Sequence, residues 1–131
     1  MAGIKDLNEL LKSMKPEMKE GTYVFCTLSE DEFTELHELP ELVFQEDEGI
    51  TIILKKRNAD KLNLEYEAEW SKITLTVHSD LEAVGFLAAI SNKLAEEGIS
   101  VNVISAYYHD HLFVPRDTAG QAMLVLNKLT E

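Results

Sequence analysis

Apolar residues recur along this chain with two alternating periods, and the switches between them mark out its elements. In "IKDLNELLKSM", Ile4, Leu7, Leu10, Leu11 and Met14 fall at helical spacing and predict a short amphipathic helix. Pro16 and Gly21 close it. "TYVFCTL" is rich in β-formers and predicts a strand. Ser29, with Glu32 three residues later, forms a capping box that opens a short helix over "EDEFTELHEL", ending near Pro40. "ELVFQED", the turn "EG" and "ITIILKK" predict a hairpin. "RNADKLNL" supplies a short helix capped by Asn58.

The same order returns after "EYEAEW". "SKITLTV" alternates Ile73, Leu75 and Val77 with Thr74 and Thr76, the pattern of a half-buried strand. Ser79 and Glu82 make a second capping box, which predicts a helix from Leu81 to Glu97. Phe86, Leu87, Ile90 and Leu94 share its apolar face, and Gly98 ends it. "ISVNVISAYY" predicts a strand, "HDH" a connection and "LFVP" a short strand. Asp117 then caps a last helix bearing Ala119, Ala122, Met123, Leu126 and Leu129.

The halves therefore match. "YVFCTLSEDEF" aligns with "ITLTVHSDLEAV", and "FQEDEGITIILKKRNADKL" with "AYYHDHLFVPRDTAGQAM". Each half reads βαββα, a repeat of roughly 50–60 residues carried by pattern rather than identity. The repeat sets His109-Asp110-His111 opposite Glu46-Asp47-Glu48-Gly49, so the expectation there is a solvated hairpin turn. A metal site needs about three or four convergent ligands, and His-x-His offers two. His78 or Asp80 would complete the set only from the other end of a neighbouring strand. His37 reads as a surface residue of the short first helix.

Composition narrows the function. The 131 residues suit one domain-sized fold, with Lys+Arg 12 against Asp+Glu 24 and a formal net charge of −12. Such a surface repels phosphate backbones and anionic lipid, so neither nucleic acid nor membrane is expected as a partner. Cys26 is the single cysteine, read as a small buried hydrophobe in a reducing, cytoplasmic setting. The N-terminus lacks the apolar core of a secretory signal, and no apolar run reaches the ~18–20 residues of a membrane span. No phosphate loop, nucleophile elbow, CxxC or HExxH occurs, so the expectation is a non-enzyme with no cofactor and no metal. The acids of "SEDEF" and "QEDEG" suit solvated helix starts and turns.

One stretch points to binding. In "TVHSDLEAVGFLAAI" a strand runs almost directly into a helix, leaving amides around Asp80–Ala83 short of partners. That end of a helix favours a carboxylate or another small anion. Gly85, read inside the helix, costs about 1 kcal/mol relative to Ala. It either packs closely on a strand or lets a ligand approach.

"HSDLEAVGFLAAISNKLAEEGISVNVISAYYHDHLFV" resembles an ACT domain, a small ferredoxin-like regulatory module. Asp80, Val84, Gly85, Gly98, Ile99, Val101 and Asn102 stand where that family's pattern has them. "EGITIILKKRNADKL" is similar to the divergent, paired units of aspartokinase regulatory regions, cytosolic arginine sensors and small bacterial ACT proteins. The resemblance implies an α+β fold. Two ferredoxin-like βαββα units lie side by side with antiparallel sheets and helices on one face, plus a short N-terminal helix. The segments are residues 1–20, 21–66 and 67–131. Each half lacks an obvious last strand, so the units are expected to exchange strands.

The resemblance also implies a non-catalytic module that binds a small molecule, an amino acid, at the interface between units. Carried over by position, the ligand contacts are His78, Ser79, Asp80, Leu81, Val84 and Gly85, with Val101, Asn102 and Ile104 from the next strand. Ser29 and Glu30 are the counterparts in the first half, on a much shorter helix. A homodimer with extended sheets follows from the exposed edges. The alternative is a ligand-free interaction module regulating an enzyme or transporter.

Overall fold

A computed structural model describes Gly3 and residues 6–131; the helical position expected for Ile4 lies outside the described residues. Contacts group the chain into Gly21–Trp70 and a discontinuous unit in which Ser71–Glu131 is joined by the N-terminal segment ending at Glu20.

Gly21–Trp70 is built on β2 (Tyr23–Leu28), β3 (Leu42–Gln45) and β4 (Ile50–Lys55). β4 lies between the other two and is antiparallel to both, with Tyr23 opposite Lys55 and Leu42 opposite Ile53. Trp70 pairs with Tyr23 and sets its ring edge-on to Phe25, centroids 5.6 Å apart. One sheet face buries Val24, Cys26, Leu28, Ile50, Ile52 and Leu54 against Ala59. The Ser29–Glu32 capping box opens α2 (Glu30–Thr34) as the sequence predicts, with both reciprocal bonds present. The helix stops well short of Pro40. It has no fully buried residue; Phe33 and Leu36 pack on the core in part, which repays little further helix. α3 (Lys56–Lys61) starts directly from β4 with Lys55 as its N-cap and no side-chain cap. Asn58, the expected cap, is inside the helix.

The second unit pairs β5 (Trp70–Leu75) with β1 (Pro16–Met18), antiparallel, Pro16 opposite Leu75. On the other side of β5 comes β7 (Asp110–Pro115), then β6 (Asn102–Ser105) at the edge. α1 (Leu7–Ser13) packs on α4 (Phe86–Glu96), and α5 (Ala119–Leu129) packs on α4 and β1. Leu10 and Met14 of the N-terminal segment are fully buried among Ile73, Leu75, Ile90 and Leu94. The N-terminal helix is thus part of this unit's core. Asp6 caps it, its carboxylate accepting from the Glu9 amide at 2.9 Å.

Three sequence expectations fail locally. α4 begins at Phe86, not Leu81. Asp110 and His111 belong to β7, and the hairpin turn is Ala106–His109, closed by the Ala106 amide on the His109 carbonyl at 3.0 Å. Asp117 does not cap α5; it sits in a 3-10 turn over Arg116–Thr118, and Thr118 takes the N-cap position without a side-chain bond.

Leu10→Ala is expected to cost about 2–5 kcal/mol, as for a fully buried leucine. Urea unfolding of the full chain measures it. A loss below about 0.5 kcal/mol, the range of surface changes, would mean that α1 is not core.

Candidate functional site

β5 ends at Leu75, and residues 76–85 carry the chain to α4 without helix or strand apart from a bridge at Ser79. Two competing hydrogen-bond choices explain why the helix does not start earlier. Asp80 turns its carboxylate onto the Glu82 amide at 2.8 Å, and its carbonyl accepts from the Ala83 amide at 2.9 Å. This is a local Asp turn of the kind that can open a helix, but the chain leaves it after a single turn. Ser79 does not cap either. Its hydroxyl donates to Asp110 Oδ2 at 2.7 Å. The helix waits until Gly85, whose φ of 87° lies in the left-handed region that glycine adopts without steric cost. Gly85 is therefore an N-cap, not the interior glycine the sequence suggested.

Ser79 and Asp110 are both buried, at 8% and 4% exposure. Asp110 shares β7 with the core residues Leu112 and Val114. A carboxylate in that position needs a donor, and Ser79 supplies one. His111 forms a hydrogen bond through Nδ1 with the Thr74 hydroxyl at 2.9 Å. His78 lies against Tyr108, centroids 6.0 Å apart, and Tyr108 meets Tyr107 edge-on at 5.0 Å. The His-Asp-His stretch is thus half-buried strand rather than solvated turn, except for His109. Among the described residues no group of three or more His, Cys, Asp or Glu side chains is placed to hold a metal ion.

A cleft of about 130 Å³ opens beside the Ser79–Asp110 pair. It is lined by Ser79, Asp80, Leu81, Ala83, Gly85, Phe86, Leu87, Ala88, Ser105 and Asp110. All ten lie within Ser71–Glu131. Of the residues carried over by position, Ser79, Asp80, Leu81 and Gly85 line the cleft. The others do not. His78 faces Tyr108, and Val84 is 84% exposed. Val101 packs on the core, and Asn102 and Ile104 sit in the β6 ladder opposite Phe113 and His111. Asp110, Ser105 and the first turn of α4 were missed. The signal for Asp110 was its period-two spacing with Leu112 and Val114.

The cleft has two charged ends. The amides of Phe86, Leu87 and Ala88, in the first turn of an eleven-residue helix, have no intrahelical acceptor. They carry partial positive charge. Asp110 and Asp80 bring carboxylates, and among the described residues no Lys, Arg or His lines the space.

Two other groups of chemical interest are structural. Cys26 is buried, and burial pushes its thiol pKa up. On α3, the Lys56 ammonium (2.8 Å) and the Tyr66 hydroxyl (2.6 Å) both bond Asp60. The Lys56 bond, then the Tyr66 bond, holds the Asp60 carboxyl below its ordinary range, and Asp60 raises both partners.

A βαββα order repeated in two units describes a paired α+β domain. Two ACT-domain profiles match, one at residues 2–71 and one at residues 65–128, and the chain belongs to the ACT domain family. No curated protein matches it in sequence. Among solved structures, it is 48% identical to a Vibrio cholerae protein of unknown function described as a possible transport protein. That match covers 99% of this chain and 100% of the other, with a TM-score of 0.84. The regulatory subunit of aspartate kinase from Thermus thermophilus shares the fold at 12% identity, with a TM-score of 0.71 over 92% of this chain and 99% of that one. The Thermus flavus regulatory subunit matches at 8% identity with a TM-score of 0.64, covering 100% of each chain.

Ser79→Ala leaves the buried Asp110 carboxylate without its hydroxyl donor and is expected to cost about 1–3 kcal/mol. In a double-mutant cycle with Asp110→Ala, measured by urea unfolding, the two changes should couple by about 0.5–3 kcal/mol. Simple additivity would remove the pair from the site.

Proposed function

We propose that this protein is a non-catalytic regulatory module that binds a small zwitterion, an amino acid, in the cleft between the 79–85 connection and the start of β7. One observation carries the reading: a buried carboxylate and the first turn of a helix line the same small space. An α-carboxylate suits the amides of Phe86–Ala88. An α-ammonium suits Asp110, with Asp80 at the rim. Leu81, Phe86 and Leu87 supply apolar wall for a side chain. At about 130 Å³ the space lies below the ~300–1,000 Å³ of drug-sized pockets and near the ~150 Å³ cavity that accepts benzene, so the ligand is small.

The family and its aspartate kinase neighbours, which are regulatory subunits, support regulation rather than catalysis. The protein regulated is an enzyme or a transporter; the second fits the description of the Vibrio cholerae relative. The lone buried Cys26 suits a reducing cytoplasm. The edge strands β3 and β6 suit pairing with a second copy.

A ligand-free interaction module is the second reading. Leu81, Val84, Tyr107 and Tyr108 are all exposed around the same connection and hairpin, and Phe44 is exposed on β3. Exposed apolar side chains of that size suit a protein partner.

A thermal-shift screen of the common amino acids separates the two. At about 100 times its dissociation constant, a true ligand stabilises by about 2.7 kcal/mol. Asp110→Ala should abolish that shift, and Asp80→Ala should reduce it. A blank screen of the wild type would sink the amino-acid reading and favour the interaction one.

A further inference from the structure

Gly3 lies against the backbone that forms the cleft. A Cβ placed on it would sit 2.5 Å from the His78 carbonyl oxygen, 2.8 Å from the Ser79 carbonyl carbon and 2.9 Å from the Asp80 amide nitrogen. All three are main-chain atoms, so no side chain can turn away to relieve the overlap. Either Gly3 or the backbone of residues 78–80 would have to move. Close approach of two backbones is one of the few situations that only glycine serves.

The opposite end of the same connection also meets the N-terminal segment. Leu7 Cδ2 lies 3.8 Å from where a Cβ on Gly85 would be. Leu7 is held in turn by α1, which Leu10 and Met14 fix in the core. Gly3 thus touches the connection at residues 78–80, and Leu7 touches it again at 85. Between those points stand Ser79, Asp80, Leu81 and Ala83, all on the cleft wall. Asp80 organises this stretch through its bonds to the Glu82 and Ala83 amides, and the Asp80 amide is one of the groups Gly3 faces.

We propose that Gly3 is a positioning residue for the cleft: its missing side chain lets its own backbone pack against residues 78–80 and hold them where Ser79 and Asp80 meet the cleft. The consequence for binding rests on the amino-acid reading above, but the positioning does not. The first arm of the test is hydrogen exchange on the full chain, comparing wild type, Gly3→Ala and Gly3→Val. Amide exchange at Glu82 and Ala83 should be about tenfold faster in Gly3→Ala and faster again in Gly3→Val. The Thr76 amide, bonded to the Met14 carbonyl at 2.8 Å, should be unchanged. Gly120→Ala is the control, because a Cβ there meets nothing within 4 Å.

The second arm is the thermal shift, where Gly3→Ala should need several-fold more amino acid than wild type for the same effect. A wild type that gives no shift defeats the amino-acid reading and leaves the exchange arm to decide Gly3. Unchanged exchange at Glu82 and Ala83 in both variants overturns the proposal. So does uniform acceleration that includes Thr76, the mark of a glycine needed only for folding.

Discussion

A strand edge carries backbone donors and acceptors that must find partners, and β5 meets that demand with a strand from the far end of the sequence. β1 lies along β5 in antiparallel register, and the pairing draws α1 with it into the core. The contact continues past the strand. The Thr76 amide bonds the Met14 carbonyl at 2.8 Å, and the Thr76 hydroxyl bonds the Lys15 carbonyl at 2.9 Å. The chain therefore leaves β5 already tied to the N-terminal segment. Everything the connection does afterwards starts from that tie.

What it does is decline to form a helix. Ser79 has the choice of capping α4 or satisfying Asp110, and the buried carboxylate wins. An exposed cap contributes about 1 kcal/mol, whereas a buried charge without a donor costs more than that. Asp80 then spends its side chain on the Glu82 amide, and the left-handed Gly85 sets the true helix start. The unpartnered amides move from the expected Asp80–Ala83 to Phe86–Ala88 as a result. That displacement brings them into the cleft that Asp110 lines.

The doubled βαββα order was legible because it rests on period-two and period-3.6 patterns and on turn residues, which are local. "YVFCTL", "ITIILKK" and "SKITLTV" each hold a strand, though β4 stops at Lys55 and β5 at Leu75, and Ser29–Glu32 became the capping box expected. The failures that matter most for the cleft involve a side chain whose partner is distant in sequence. Ser79 looked like a cap because Glu82 follows it, and nothing local reveals Asp110, thirty-one residues on. His-Asp-His looked like a turn because its counterpart in the first half is one. The register of β6 on β7 instead moved the turn to Ala106–His109 and drew Asp110 inside. Of the residues carried over by position from the resemblance, Ser79, Asp80, Leu81 and Gly85 line the cleft. Val101, Asn102 and Ile104 were placed by analogy, and their own ladder and core contacts occupy them.

The proposed ligand class follows from the charge arithmetic of the cleft. A molecule with a formal net charge of −12 disfavours the approach of free anions, whereas a zwitterion carries no net charge to be repelled. The first turn of α4 and the Asp110 carboxylate, of opposite polarity, both line the cleft. A ligand with an ammonium at one end and a carboxylate at the other would complete both at once. Neither group alone would do so, because a simple anion meets Asp110 and a simple cation meets the helix end. Such a ligand joins β7 to α4 through the irregular connection between β5 and α4, the part of the unit whose geometry is set by single hydrogen bonds rather than by a ladder. Regulation then requires only that two arrangements of this connection bind the ligand with different affinity.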